Sequence, residues 1–232
     1  YKQLDSVLIN SGWERSIRII ESEDSVYHVR YHDFEKGFQL PFQVTENDGE
    51  LILDSIVSDF KISGIMQFLA ENVATRNYEN REVNIEIPKG KTLKRLESGP
   101  NGELSIEGIH IEQVSLYGST SIIQSTIENG SINTDYGSIY VEDSTLKNIT
   151  VTGYASSFHI SDSQVENTEW DAYDRMDTTN ITVIGENSFT GNEEYPQTNA
   201  RINLSEKSQK EALLTAELSI DKRKLFYYGE SN

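Results

Sequence analysis

Three stretches of this sequence repeat one pattern: YGSTSIIQSTIENGS (residues 117–131), YGSIYVEDSTLKNIT (136–150) and YASSFHISDSQVENTE (154–169). They align in one register, so that a Ser-x-[Ile/Leu/Val]-[Glu/Lys]-Asn motif occurs three times at intervals of 19 residues. Tyrosines accompany it at intervals of 19 and then 18 residues, at Tyr117, Tyr136 and Tyr154. A fixed period near 20 in segments rich in β-branched and small polar residues predicts a β-solenoid, in which each repeat forms one coil.

One coil cannot bury its own apolar face, so we expect equivalent side chains of successive coils to stack at about 4.8 Å, the spacing of neighbouring strands. The apolar position should form an interior column. The asparagine position should lie at a tight turn, because Asn tolerates left-handed backbone and its amide can bond to the copies above and below. The predicted structural ladder comprises Ile127, Leu146 and Val165, then Ser125, Ser144 and Ser163, and finally Asn129, Asn148 and Asn167.

The first half of the chain carries a different pattern. Apolar residues alternate from Ser6 to about Leu53 between Gly- and Asp-containing turns, which predicts short strands joined as antiparallel hairpins or a meander. A helical spacing of apolar residues over 63–74 predicts one short amphipathic helix. We therefore expect an all-β protein with two regions: residues 1–95 as an N-terminal antiparallel β region with the inserted helix, and 96–232 as a parallel, single-stranded β-helix-like solenoid with a C-terminal cap.

Composition excludes several classes of function. The formal net charge is −18, so nucleic acid and other polyanions would be repelled, and no nucleic-acid partner is expected. The chain has no cysteine, which excludes disulfides, thiolate metal sites and thiol nucleophiles. No run of some 18 apolar residues is present, so nothing in the sequence predicts a membrane-spanning helix.

The sequence resembles a family of adhesins of unknown function from Gram-positive bacteria, β-strand-repeat surface proteins that include envelope-stress-associated members. The resemblance lies in the strands Ser6 to Asn10 and Ser16 to Glu21, in the Val83-x-Ile85-x-Ile87-Pro88-x-Gly90 element, and in the coils with Ser and Gly turns that follow. It implies an extracellular, cell-surface domain, commonly membrane-anchored. Since the sequence begins at Tyr1 rather than Met, we expect the anchor upstream of residue 1.

Paired carboxylates are the first candidates for chemistry. Asp143 and Asp162 occupy the same repeat position, where the first coil has Gln124, and acids at that spacing could serve as acid and base or hold calcium. No basic residue accompanies them in register, as a polyuronate substrate would require. We therefore interpret both as solvated residues on an outward face and predict no catalytic residue.

The remaining metal candidates are weak. Asp171, Asp174 and Asp177 are three residues apart and lack the glycine that turns a calcium loop. The histidines are scattered at His28, His32, His110 and His159, with no third ligand near any two of them. The sequence predicts neither a metal site nor a cofactor.

Three hypotheses for the function remain open. The first is a non-enzymatic adhesin or ligand-display module that contacts a cell-surface or host ligand of unknown identity. The second is an accessory domain in envelope-stress signalling. The third is a carbohydrate-active β-helix enzyme, which would need acid, base and cation to converge in a groove.

Overall fold

The computed structural model describes residues 3–10, 16–31, 42–55, 82–99, 101–154, 156–172, 175–191, 199–208, 218–220 and 225–227. The helix expected at 63–74 lies outside these residues. The described part is almost entirely β-strand, with one short helical stretch at 206–208. The predicted all-β, solenoid-like class is confirmed.

The strands form one continuous, curled sheet. Their bounds are β1 Ser6–Asn10, β2 Ser16–Ser22, β3 His28–Tyr31, β4 Phe42–Asn47, β5 Glu50–Ser55, β6 Glu82–Pro88, β7 Thr92–Ser98, β8 Asn101–Glu107, β9 His110–Ile123, β10 Thr126–Ile127, β11 Gly130–Asn133, β12 Ser138–Glu142, β13 Thr145–Lys147, β14 Ile149–Gly153, β15 Ser157–Ser161, β16 Gln164–Glu166, β17 Glu169–Ala172, β18 Arg175–Thr179, β19 Thr182–Ile184, β20 Asn187–Gly191, β21 Asn199–Ile202, β22 Leu218–Ile220 and β23 Leu225–Tyr227.

Parallel pairing arranges these strands in three rows that run along the solenoid axis. Row one contains β7, β9, β10, β13, β16 and β19. Row two continues from β9 through β11, β14, β17, β20 and β22. Row three contains β8, β9, β12, β15, β18, β21 and β23. The 14-residue strand β9 contributes to all three rows.

Alternation along each strand sends every second side chain inward, and in-register stacking joins these side chains into apolar columns. In row one, Ile127 pairs with Leu146, which pairs with Val165. All three are fully buried. Aromatic rings fill the interior of the later coils, where Trp170 stacks on Phe189 with ring centroids 6.5 Å apart and meets Phe158 edge-on at 6.2 Å.

The length of a coil varies along the axis. Register partners in row one are 16 residues apart from Ile111 to Ile127, 19 apart in the next two steps, and 18 apart from Val165 to Val183. The residues are gained and lost at the corners between strands, while the strands themselves keep their pairing.

Buried serines bond neighbouring coils together at one corner. The Ser125 N–H donates to Ser144 Oγ at 3.0 Å, and the Ser144 N–H donates to Ser163 Oγ at 3.1 Å. Each hydroxyl in turn donates to the carbonyl two residues before it, as Ser144 Oγ does to Glu142 at 2.7 Å. These side chains therefore supply the hydrogen bonds that the main chain cannot make where it turns.

Left-handed backbone makes the corners sharp. At one corner Gln124, Asp143, Asp162 and Asn180 all have φ between 47° and 54°, the first three directly before a serine of the column and Asn180 before Ile181. At the following corner Asn148 and Asn167 have φ of 47° and 52°. Asn and Asp are the non-glycine residues that tolerate this conformation best, which explains their recurrence there.

The N-terminal strands lie inside the stack of coils rather than at its end. In parallel pairing, β1 lies between β5 and β7, and β2 lies between β6 and β8. Among the described strands, the expected antiparallel pairing occurs between β3 and β6 and between β4 and β5, the latter around a turn at Asp48-Gly49 with positive φ at both residues. Alternating apolar residues predict a strand but not its partner, so the parallel pairing of β1 and β2 could not be deduced from them.

Strand β7 includes residue 95, the expected boundary between the two regions of the chain. It pairs with β1 on one side and with β9 on the other. Hydrogen bonds therefore run without interruption through this point. Whether the two regions fold as separate units stays a prediction.

The serine column makes a prediction about stability. Ser144→Ala removes the acceptor of the buried Ser125 N–H, and an unsatisfied buried donor costs about 1–3 kcal/mol. Ser138→Ala, the same change on an exposed strand position, should alter the unfolding free energy by less than about 0.5 kcal/mol. Urea denaturation of both variants measures the difference. Equal stability of the two would show that the serine hydroxyls do not hold the coils together.

A pair of glycines tests the closeness of the coils. A Cβ on Gly130, whose φ is 131°, would lie 1.9 Å from the Val114 carbonyl oxygen, whereas one on Gly90, with φ of 73°, would meet nothing within 4 Å. Gly90→Ala should cost about 1–2 kcal/mol from left-handed strain alone. Gly130→Ala adds a backbone clash between coils and should cost more. Thermal unfolding that ranks the two variants in the opposite order would contradict the stacking at β9 and β11.

Candidate ligand-binding surface

The asparagines of the repeat lie at an exposed corner. Asn148 Nδ2 donates to Asn129 Oδ1 at 3.2 Å and to the Glu128 carbonyl at 3.2 Å. Asn167 Oδ1 accepts from the Glu186 N–H at 3.0 Å. The amides thus bond one coil to the next, so their hydrogen-bonding groups serve to support the backbone.

The carboxylates considered as an acid and base pair, Asp143 and Asp162, lie at the left-handed corner described above. Both side chains are exposed, and Asp162 Oδ1 accepts from Asn180 Nδ2 at 2.7 Å. Their shared repeat position is explained by the backbone conformation of that corner. Neither is held opposite a base or a cation in the described contacts.

The aspartates considered for a cation are not brought together. Asp171 is on β17 in row two, and Asp177 is on β18 in row three, where it forms an ion pair with Arg175. Asp174 lies outside the described residues. Across the described ranges, no group of three or more His, Asp or Glu side chains is arranged to hold a metal ion.

The described histidines lie in separate places. His28 contacts Asp24 at 3.0 Å, and His110 on row one contacts Glu128 at 2.8 Å. His159 lies on the outer face of row three, where its ring stacks on Tyr140 with centroids 5.3 Å apart and an angle of 7°. His32 lies outside the described residues.

Aromatic side chains are concentrated on the outer face of the second and third repeats. Beside the Tyr140–His159 pair, Tyr136 meets Tyr154 edge-on with centroids 5.3 Å apart. Tyr136 is 77% exposed and Tyr140 is 36% exposed. We call Tyr136, Tyr140, Tyr154 and His159 the aromatic patch. The tyrosine repeat therefore lies on the outside of the solenoid, a side that the sequence alone did not determine.

Sequence analysis missed the Tyr140–His159 pair, although a signal was present. The strands SIYVE and SFHIS alternate inward apolar with outward polar residues, and Tyr140 and His159 occupy the same outward position 19 residues apart. Their chemical difference hid the correspondence, because a search for identical residues aligns tyrosine with tyrosine.

Hydrogen bonds to carboxylates fix two tyrosines of this region. Tyr140 Oη donates to Glu142 Oε2 at 2.7 Å, and Tyr117 Oη donates to Asp135 Oδ2 at 2.8 Å. The hydrogen bond to Glu142, followed by partial desolvation and the negative charge of that carboxylate, raises the pKa of Tyr140 above its ordinary value. Asp135 raises the pKa of Tyr117 in the same way.

Ion pairs neutralise part of the charge on the outer face of row three. Arg18 on β2 binds Glu107 at 2.9 Å and Glu82 at 3.5 Å, and Arg175 on β18 binds Asp177. These pairs are exposed or half-exposed, so they contribute little to stability. The carboxylate of Glu142 beside Tyr140 takes part in none of the ion pairs among the described residues, so this face stays acidic, as the chain is as a whole.

A comparison with protein families matches this architecture. The family model described as Toastrack DUF4097 matches residues 4–218, which is nearly the whole chain. The chain belongs to the Toastrack DUF4097 family. Toastrack DUF4097 is a β-rich repeat family of unknown function, and it is not known as an enzyme family. No curated protein and no solved structure matches the chain.

The Toastrack match covers the N-terminal strands as well as the repeats, in agreement with their intercalation in one sheet. Within the part of this Toastrack chain that the structure describes, no helix is both long and apolar enough to span a membrane. The family assignment supports the fold and carries no ligand or catalytic residue to this Toastrack chain. The aromatic patch is accordingly judged on its own geometry.

The tyrosine hydrogen bonds give a prediction for titration. Glu142→Gln removes the carboxylate that stabilises the protonated phenol of Tyr140, so the pKa of Tyr140 should fall toward the ordinary value of about 10. The pKa of Tyr117 should stay raised, because Asp135 is untouched. Asp135→Asn should produce the converse pattern. Carbon-13 tyrosine NMR between pH 8 and 12 follows each phenol, and an unchanged Tyr140 in Glu142→Gln would refute the assigned hydrogen bond.

Proposed function

We propose that this Toastrack chain is a non-enzymatic, extracytoplasmic cell-surface domain that binds a ligand through the aromatic patch on row three. The role is that of an adhesin or ligand-display module. The rigid stack of coils holds the patch in place, and the outer face of the sheet presents it to the surroundings of the cell.

The exposure of the aromatic patch is the observation that supports this proposal. Four aromatic rings are clustered on two adjacent coils, and Tyr136 is 77% exposed. Tyr is enriched at binding interfaces because it offers a large apolar surface with a polar end at low cost in conformational entropy. Clustered exposed aromatics mark interaction sites more often than they serve the fold.

The alternative as a carbohydrate-active enzyme receives less support from the described residues. Catalysis would need two carboxylates placed on either side of a bound glycosidic bond. Asp143 and Asp162 instead lie exposed at one corner of neighbouring coils, and the described contacts place neither beside a base or a cation. An accessory role in envelope-stress signalling would use the same patch with a protein ligand, and the binding experiment below separates this from adhesion.

The binding role predicts that the purified chain is retained by envelopes isolated from the cells that produce it. Replacing Tyr136, Tyr140 and His159 together by Ser should reduce retention at least about 10-fold, because the central aromatics of an interface supply most of its binding energy. His110→Ser removes an aromatic ring from row one and serves as the control that should bind normally. Protease treatment of the envelopes beforehand abolishes retention if the ligand is a protein, as signalling would require. Equal retention of the triple variant and the unchanged chain would contradict the proposal.

The extracytoplasmic location is tested on living cells. Protease added to intact producing cells should release fragments of the domain, because the proposal exposes it outside the cytoplasm. A cytosolic protein should remain intact in the same sample as the control for lysis. Recovery of the whole domain only from the soluble cytosolic fraction would contradict the assignment.

A further inference from the structure

The outer face of row three carries one central column of side chains whose composition changes along the axis. Parallel register places Arg18, Ser105, Ser121, Tyr140, His159 and Asp177 in successive coils. Neighbouring positions are about 4.8 Å apart, so about 14 Å separates the backbone of Arg18 from that of Tyr140. Two serines occupy the interval. Between Arg18 and His159 the column thus has a bulky cation on one side, an aromatic stack on the other and small hydroxyl side chains between them.

The Tyr140 ring has one covered and one open face. His159 stacks on the face toward the next coil, with an angle of only 7° between the rings. The opposite face is directed toward the preceding coil, where the register partner is Ser121. A serine side chain is too short to cover a phenol ring. One aromatic face is therefore left open above a floor of small residues.

The hydrogen bond from Tyr140 Oη to Glu142 and the stack on His159 hold this ring in a defined orientation. A fixed ring loses little conformational entropy when a ligand stacks on it. The flanking column is also small and hydroxyl-bearing, since Ser119 lies beside Ser121 and Ser138 lies beside Tyr140. The open face consequently adjoins a shallow depression lined with hydroxyl groups.

Charge selects among the ligands that could stack there. The chain carries a net charge of −18, which repels polyanions at long range. Beside the depression Arg18 is already paired with Glu107 and Glu82, and one oxygen of Glu142 accepts the Tyr140 hydroxyl. The groups available to a ligand are one aromatic face, several hydroxyls and the carboxylate oxygen of Glu142 that the Tyr140 hydroxyl does not use. A neutral pyranose ring matches this set, because it has a face of C–H groups for the aromatic ring and hydroxyls at its edge for the polar groups.

We infer that the depression between Arg18 and Tyr140 binds a neutral pyranose glycan, with one sugar ring stacked on the open face of Tyr140. Its edge hydroxyls donate to Ser105 Oγ, whose own proton is donated to Glu107 at 3.0 Å, and they bond to the Ser121 hydroxyl and to Glu142. This assignment names the ligand class of the proposed adhesin or display function and rests on that function. The remaining aromatic residues, Tyr136 and Tyr154, extend the contact along the corner.

Direct binding tests the inference with the whole 232-residue chain. The probes are soluble neutral glycans (β-glucan, α-glucan, mannan and chitin oligosaccharides), with polygalacturonate as the polyanion and poly-lysine as the polycation. Isothermal titration should detect at least one neutral glycan and neither charged polymer. Tyr140→Ala should weaken that binding at least 10-fold, whereas Tyr140→Phe, which keeps the ring, should stay within about threefold.

A second variant keeps every aromatic residue of the patch and blocks the open face of the Tyr140 ring. Ser121→Phe places a ring where the sugar would stack, and it should abolish glycan binding while leaving Tyr140 in place. Ser131→Phe puts the same side chain on an exposed position of β11 in row two, away from the depression, and should bind normally. Because Ser121 is half-buried, circular dichroism and the melting temperature of each variant establish whether the fold is retained before binding is compared.

The outcomes separate the glycan inference from the proposed function. Absence of binding to every neutral glycan, or equal binding by Tyr140→Ala, overturns the inference. If envelope retention still depends on the aromatic patch in that case, the binding function stands with another ligand class, and poly-lysine or polygalacturonate binding would indicate which. Loss of both envelope retention and glycan binding in the unchanged chain overturns both.

Discussion

Hydrogen bonds between neighbouring coils are the interaction on which the rest of this structure depends. In a parallel solenoid each main-chain N–H must find a carbonyl in the adjacent coil, and a missing partner in the interior costs as much as a lost hydrogen bond. Straight strands satisfy this condition on their own. The corners do not, and there the buried Ser125, Ser144 and Ser163 hydroxyls complete the pairing.

The same constraint determines where function can reside. Inward positions are committed to apolar columns, and corner positions are committed to left-handed backbone, which accounts for Asp143 and Asp162. Whereas Tyr136 of the aromatic patch lies outside the strands with φ of 58°, outward strand positions are free of both requirements. A side chain placed there acquires neighbours at fixed spacing in the coils before and after it, so Tyr140 and His159 form a stacked pair without any loop to position them. This arrangement provides a preorganised surface for a ligand.

The fold class was predictable because the 19-residue period and the alternation within each repeat are visible in short stretches of sequence. Two other features could not be predicted from short stretches. The insertion of β1 between β5 and β7 depends on contacts between residues about 44 and 89 apart, and no local pattern encodes them. The 16-residue step from Ile111 to Ile127 was missed because Ile111 is flanked by Ile109 and Gln113, where the motif has serine and asparagine.

The aromatic patch was only partly accessible to sequence reasoning. The repeated Tyr117, Tyr136 and Tyr154 were visible as a series, but a corner residue belongs to neither alternating face, so the period did not say whether they point inward or outward. Tyr140 and His159 differ in type and become recognisable as a pair once the register is known. The serines of the preceding coils could be recognised as part of a candidate site only once that pair was located, because small residues on a sheet face are common.

The parallel, in-register stack is measured most directly by electron-electron distances between spin labels. The chain has no native cysteine, so introduced cysteines give unique sites. One label replaces Glu86 and the second replaces Glu142, Ser161 or Thr179, which share one outward column and lie four, five and six coils away. At about 4.8 Å a coil, the distances should be about 19, 24 and 29 Å, apart from a constant contribution of the labels. Distances that do not rise by a constant step along this series would contradict the solenoid.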